Sequence, residues 1–371
     1  MTPHRIHVVA WRDRDDPEAG GSEKHINELA RRWAAAGHDV TLRTGAVAGG
    51  AAVIERDGYR VVRRGGALST LARTPLSEVF RRQGRADALV EVWHGINFLS
   101  PLWWRGPRVG IAHHVHGEQF RFVLPGPAAI VAETLERRVS PRLYRRTPLV
   151  TLSPSTRAEL LELGHPPANV HVSPPGVEAR FSPGGTRSPH PTVLSVGRLM
   201  PQKRVDHLVA ALAPLRARHP DLELVVVGSG PDEERLRGLA PAWVTFAGRV
   251  DDDELVERYR SAWVVASASV AEGWNMTVTE GGACGTPAVA TRIAGHVDAV
   301  VDGETGLLAD GIEGLTPAFG RVLGDPELRD RRGEEARRHA ARFTWEAAAE
   351  TVLDVLGVRP TSSPRGTPLP R

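Results

Sequence analysis

Cysteine is nearly absent from this chain. Among 371 residues only Cys284 occurs, so no disulfide can form within the chain, which fits a reducing compartment. Its small neighbours mark Cys284 as a buried helix residue rather than a reactive thiol. Long apolar runs are also missing. None approaches the roughly 20 residues needed to cross a bilayer, and no charged segment followed by an apolar one marks a signal peptide at the N-terminus. These absences predict a cytoplasmic protein, peripheral at the inner face of a membrane at most. An excess of charge of one sign is lacking too. The net charge of +3 is mild, which argues against a dedicated nucleic-acid binder. Aromatics are few (5%), while 41% hydrophobic content excludes global disorder. Two fingerprints are absent: the Gly-x-Gly-x-x-Gly of dinucleotide folds and the lysine of a phosphate-binding loop.

What is present alternates. Short apolar strands are predicted at Ile6–Val9, Val40–Arg43, Ala88–Val92 and Val109–Ala112. A second series follows at Val193–Val196, Leu224–Val227, Val244–Ala247 and Val264–Ala266. Helices are predicted at Glu23–Ala36, Val205–Arg218, Glu233–Leu239 and Asp253–Ser261, with a long last helix over Leu328–Leu356. Pro- and Gly-rich sequence from Pro174 to Pro191 reads as a linker. Alternating elements with short loops imply parallel sheets. The expected fold class is therefore α/β, with two Rossmann-like domains facing across a cleft. Their expected bounds are 1–178 and 179–335. A C-terminal helix over 336–357 would pack back on the first domain, before a disordered tail, 358–371.

Five constellations carry chemistry. In the first, Gly20-Gly21-Ser22-Glu23 opens the first helix, where free N–H groups and the dipole suit a phosphate; a plain flexible loop is the other reading. In the second, Arg198 and Lys203 follow a strand and precede a helix. A cation at a helix start opposes the dipole unless an anion lies nearby, which favours a diphosphate over a solvated basic loop. In the third, Glu272 sits in a loop and Glu280 on the helix that Asn275-Met276-Thr277 opens, so both acids can face one polyhydroxyl ligand. Gly273 and Asn275 suggest an unusual, left-handed backbone there. Gly281 and Gly282 would each cost a helix about 1 kcal/mol, so something must approach them closely. In the fourth, His113, His114 and His116 with Glu118 invite a zinc reading. Their ligand set is incomplete, which favours a hydrogen-bonding or acid/base histidine and no metal. In the fifth, arginines between Leu135 and Arg146, near Phe120, Phe122 and Val123, would suit an anionic membrane surface. In so Arg-rich a chain an ordinary solvated helix face explains them as well.

Taken together, the segments GGSEKHINELARRWAAAGHDV, VLSVGRLMPQKRVDHLVAAL, LVVVGSGPDEERLRGLA, VTFAGRV and EGWNMTVTEGGACGTPAVA resemble the family-four retaining glycosyltransferases of the GT-B fold (glycosyl transferases group 1). The last segment looks like that family's Glu-x7-Glu signature. The resemblance implies transfer of a sugar from a nucleoside-diphosphate sugar to an acceptor hydroxyl, with retention at the anomeric carbon and without cofactor or metal. Arg198 and Lys203 would hold the diphosphate, with Gly20 and Gly21 facing it from the other domain. Glu272 would bind the transferred sugar, Glu280 the ribose, and Gly273, Trp274, Asn275, Met276 and Thr277 would also contact the donor. Gly248, Arg249 and Val250 would meet the base. His113 would touch the sugar near the reacting centre, with His116 as a second candidate. The acceptor could be a glycan, a lipid or a small metabolite. Asn275 and Gly281 depart from the family's usual Gly and Ala, and Gly295-His296-Val297-Asp298-Ala299 departs from its Gly-Gly-x-x-Glu. Competing readings are a catalytically silent GT-B subunit that scaffolds a biosynthetic complex, and a glycoside hydrolase using Glu272 and Glu280 as acid and base.

Overall fold

The computed structural model describes residues 3–358, apart from 67–68, 94, 118–119 and 125 and the side chains of residues 122 and 123. Glu118 and nearly all of the expected tail thus lie outside the described residues. The first sheet contains β1 (Arg5–Val9), β2 (Asp39–Thr44), β3 (Val53–Arg56), β4 (Tyr59–Arg63), β5 (Ala88–Trp93), β6 (Arg108–Ala112), β7 (Leu149–Thr151) and β8 (Val170–Val172), in the order β3-β4-β2-β1-β5-β6-β7-β8. Only β3 runs antiparallel, to β4. The hairpin joining them turns at Asp57 (φ 46°) and Gly58 (φ 84°). Two successive left-handed residues make a type I′ turn, which matches the twist of the flanking strands.

The second sheet contains β9 (Thr192–Val196), β10 (Glu223–Val227), β11 (Val244–Gly248), β12 (Val264–Ser267), β13 (Ala288–Thr291) and β14 (Gly306–Ala309). Its order is β11-β10-β9-β12-β13-β14, all parallel. Two parallel α/β sheets with the strand order reversing inside each form the expected architecture. No helix among the described residues is long and apolar enough to cross a membrane.

The first helix, α1 (Gly21–Ala35), starts two residues before the expected Glu23, directly on the glycine loop. Ile26, Leu29, Ala30 and Trp33 form its buried face, and Gly37 follows it at φ 92°. Helical spacing explains the stripe, and the left-handed residue ends the helix without a Cβ clash. The helix expected over Val205–Arg218 stops at Leu212 and continues as a 3-10 turn, Ala213–Ala217. Pro214 lacks the N–H that an α-helix would need there.

The long last helix is not continuous. One helix spans Pro326–Ala340, and a second begins at Trp345 and ends at Leu356. Between them the chain turns, the Phe343 carbonyl accepts from Val177 N–H at 3.0 Å, and Thr344 Oγ1 accepts from Ala347 N–H at 3.2 Å. The side-chain cap starts the new helix in a new direction. That direction carries Trp345, Ala348, Ala349, Val352, Leu353 and Leu356 into the core built by β1, β2 and α1. Trp33 Nε1 donates to the Ala349 carbonyl at 3.1 Å. The interdomain segment crosses the same point, since a Cβ on Gly176 would lie 2.1 Å from Trp345 N.

Trp345 is 1% exposed. Trp345→Ala should cost about 3–5 kcal/mol of stability. Denaturant unfolding followed by circular dichroism measures this, and a cost under about 1 kcal/mol would mean that the last helix does not anchor the first domain.

Candidate functional site

The loops after β1, β6 and β7 of the first sheet meet those after β9, β10, β11 and β12 of the second around a cleft of about 450 Å³. Every one of these loops follows the carboxyl end of a parallel strand, where open α/β sheets bind ligands. Gly20, Gly21, His113, Arg198, Lys203, Arg249, Val250, the run from Glu272 to Thr277, and Glu280 all line this cleft. Gly248 and His116 do not.

Glu272 follows β12. Its Oε1 lies 2.5 Å from Lys203 Nζ and accepts from Ser269 Oγ at 2.7 Å. Burial alone would raise its pKa, but Lys203 and these hydrogen bonds outweigh it and hold the carboxyl below the usual range. Glu272 is therefore an ionised acceptor at neutral pH. The acid of a hydrolase pair needs the opposite shift.

Lys203 does not open the α-helix. It closes a 3-10 turn, Pro201–Lys203, and Arg204 at φ 48° separates it from the helix Val205–Leu212. This takes the cation off the helix axis and aims it at the cleft. Arg198 follows β9 and reaches across to the first domain, where its Nη1 donates to the Glu18 carbonyl at 2.6 Å. Burial pushes its pKa down and the Glu23 charge opposes this.

The two loop glycines face flexible side chains of the second domain. A Cβ on Gly20 would lie 3.2 Å from Arg198 Nε, and one on Gly21 would lie 2.9 Å from the Met276 methyl. Gly20 N–H already donates to Glu23 Oε2 at 2.8 Å, so it is not a free phosphate donor here. Gly273 is required by approach and not by φ. It does not adopt the left-handed region, but a Cβ there would sit 1.9 Å from the His113 carbonyl oxygen in the opposite domain. Asn275, at φ −102°, is not left-handed either, contrary to the sequence expectation. The partners of the two helix glycines are the protein's own. A Cβ on Gly281 would meet Val265 Cγ2 at 2.4 Å, and one on Gly282 would meet the Ala336 carbonyl oxygen at 3.2 Å.

Glu280, on the helix Met276–Ala283, accepts from Tyr259 Oη at 3.0 Å and from Lys24 Nζ at 2.7 Å. Lys24 belongs to α1 and also meets Glu178 at 2.8 Å. Burial works against its charge, yet Glu280 and Glu178 together raise its pKa. Lys24 thus ties the first domain to the second across the cleft. Sequence reasoning passed over it, although it stands inside the quoted GGSEKH segment. His296 was missed as well. It is fully buried, with Nδ1 2.7 Å from the Thr291 carbonyl and Nε2 2.9 Å from Asn275 Nδ2. Those partners assign the proton to Nδ1 and the acceptor to Nε2. The neutral ring, its pKa lowered first by burial, fixes the residue that caps the signature helix. Its departure from the family pattern was the available signal.

Strand β6 ends at Ala112, so the histidines lie in a loop. His113 is buried, its ring edge-on to His25 at 5.1 Å. His114 lines the cleft, and burial, with Lys203 nearby, lowers its pKa to about 4 against the pull of Glu272. His116 stacks between His114 at 4.1 Å and Phe120 at 5.0 Å. Its backbone N–H donates to Glu136 at 2.8 Å. His114 lines the cleft, whereas His116 does not. Among the described residues no three acidic, His or Cys side chains gather as metal ligands. The arginines between Arg137 and Arg146 are exposed, but Phe120 is 3% exposed and cannot meet a membrane with them. Cys284 is buried, and burial pushes its thiol up to about 12, so it is not a nucleophile.

Comparison with known proteins identifies the family. Residues 19–181 match the model of Glycosyltransferase Family 4, and residues 178–339 match that of Glycosyl transferases group 1. The chain is similar to a D-inositol 3-phosphate glycosyltransferase of Acidothermus cellulolyticus, 33% identical over 95% of this chain and 90% of the relative. It is also similar to a GDP-mannose-dependent alpha-(1-6)-phosphatidylinositol monomannoside mannosyltransferase of Mycolicibacterium smegmatis, 32% identical over 78% of this chain and 81% of that one. Among solved structures, sucrose-phosphate synthase from Thermosynechococcus elongatus superposes with a TM-score of 0.80 at 23% identity, covering 95% of this chain and 98% of that one. The chain belongs to the glycosyl transferases group 1, the family-four glycosyltransferases of GT-B fold.

Proposed function

We propose that this glycosyltransferase moves a hexose from a nucleoside-diphosphate sugar to an acceptor hydroxyl with retention at the anomeric carbon, without a metal. The observation that carries this reading is the convergence of Arg198, Lys203, Glu272 and Glu280 on one interdomain cleft. Breaking the sugar–phosphate bond places negative charge on the departing diphosphate. Preorganised cations in a water-poor site lower such a barrier most. Arg198 and Lys203 take that role, Gly21 faces the diphosphate from the first domain, and no Lewis acid is needed in addition.

Lys203 has a carboxylate partner at 2.5 Å. An arriving diphosphate competes for the ammonium and leaves Glu272 free to accept from sugar hydroxyls. By the same logic, the ribose hydroxyls donate to Glu280 in place of Lys24. Arg249 and Val250 meet the base. His113 and His114 lie beside the transferred sugar. Glu272 is ionised and already bonded, so it serves as an orienting acceptor. The departing phosphate itself takes the acceptor proton. The relatives' names make GDP-mannose the first donor to test and an inositol-bearing polyol the first acceptor.

Lys203→Ala and Glu272→Ala should each lower kcat/KM about 100-fold or more, with circular dichroism showing that the fold is kept. Loss of fold in both variants would remove their support for the assigned roles. Turnover across a panel of nucleotide sugars, read by proton NMR of the anomeric centre, should give a product of the donor's own configuration. A chelator should leave the rate unchanged. An inverted product would contradict front-face transfer, activity restored only by a divalent metal would contradict metal independence, and failure with every donor would favour a silent subunit.

A further inference from the structure

A second concavity, about 470 Å³, lies in the first domain and shares no lining residue with the cleft. It is bounded by Arg43 on β2, Arg60 on β4, and α2 (Ser69–Val79) with the residues that follow it. Five arginines line it: Arg43, Arg60, Arg64, Arg73 and Arg82. No acid is among the described lining residues.

Arg43 is the unusual member. It is 3% exposed, and its Nε and Nη1 are buried without a hydrogen-bond partner. Elsewhere in the same domain the chain supplies carboxylates to its buried guanidiniums. Arg56 and Arg63 both meet Asp13, at 2.9 and 3.0 Å. The carboxylate whose charge reaches Arg43, Glu78, is bonded to His7 Nδ1 at 2.7 Å. A buried cation lacking a partner is costly, and neighbouring cations raise that cost. An oxyanion that accepts from several planar guanidinium forks removes it. Around the mouth, Val53, Leu76 and Phe80 are 40%, 56% and 66% exposed, an apolar rim on a cationic pit.

We propose that this pocket binds a phosphate group, with Arg43 at its base and Arg60, Arg64, Arg73 and Arg82 around it. The phosphate belongs either to a soluble phosphorylated compound or to a lipid headgroup whose chains meet the apolar rim. The site is separate from donor binding and stands whether or not the proposed transfer reaction is right.

The test uses the full chain at fixed ionic strength. Inorganic phosphate is titrated by calorimetry into the Arg198→Ala protein, in which the cleft's own phosphate seat is weakened. Vesicles of phosphatidylcholine, with and without phosphatidylglycerol, are tested by sedimentation. Adding Arg43→Gln, or the pair of half-buried Arg60→Ala with exposed Arg64→Ala, should weaken phosphate binding about tenfold or more. This less buried pair guards against misfolding of the buried variant. Binding of phosphate without preference for anionic vesicles identifies a soluble ligand. Vesicle recruitment lost on both the arginine pair and Phe80→Ser identifies a headgroup. Equal binding by the parent and the arginine variants, or binding of neither probe, overturns the proposal.

Discussion

A carboxylate buried between two domains stays ionised only if a cation stands against it. Glu272 has a side chain 12% exposed, and Lys203 meets that requirement from a neighbouring strand end. Much of the cleft follows from keeping this pair in place. Ser269 adds a second donor to the carboxylate, and a type of turn that ends in a left-handed arginine points the lysine inward. The loop that carries Glu272 is pressed against the His113 carbonyl so closely that only glycine fits at position 273. Below it, neutral His296 fixes Asn275, which starts the helix bearing Glu280. The second acid then repeats the arrangement with a cation from the other domain, Lys24.

The two domains are joined by more than the cleft. The segment after Ser173 has no regular structure but is well held. Glu178 pairs with Lys24 and Arg180, while Phe181 is buried in the second core. The C-terminal helix closes the circuit by returning to the first core, and Gly176 passes it at backbone distance. Charged contacts at the cleft are therefore set between two anchored bodies.

Much of this was legible in the residues. The alternation of short apolar runs identified two parallel sheets, and eight of their strands were placed within one residue of their bounds. Strands β7 and β8 have three residues each, too few to show a period. The β3–β4 hairpin was missed although Asp57-Gly58 is a strong turn signal. The break before Trp345 was missed because it depends on a tertiary demand, the crossing back to the first domain, while both flanking segments have helical spacing. At the site, types and order of residues pointed to the cleft, but partners did not. Lys24 is an ordinary helix lysine until the fold brings Glu280, 256 positions away in sequence, to it. Glycine was read as backbone freedom at Gly273, where its true use is close approach.

We propose above all that Arg198 and Lys203 hold the leaving diphosphate. A crystal structure of the chain with a bound nucleoside diphosphate measures this directly. The account predicts phosphate oxygens within about 3 Å of both side chains, with Lys203 drawn away from Glu272. A diphosphate bound elsewhere, with the Lys203–Glu272 pair intact, would contradict it.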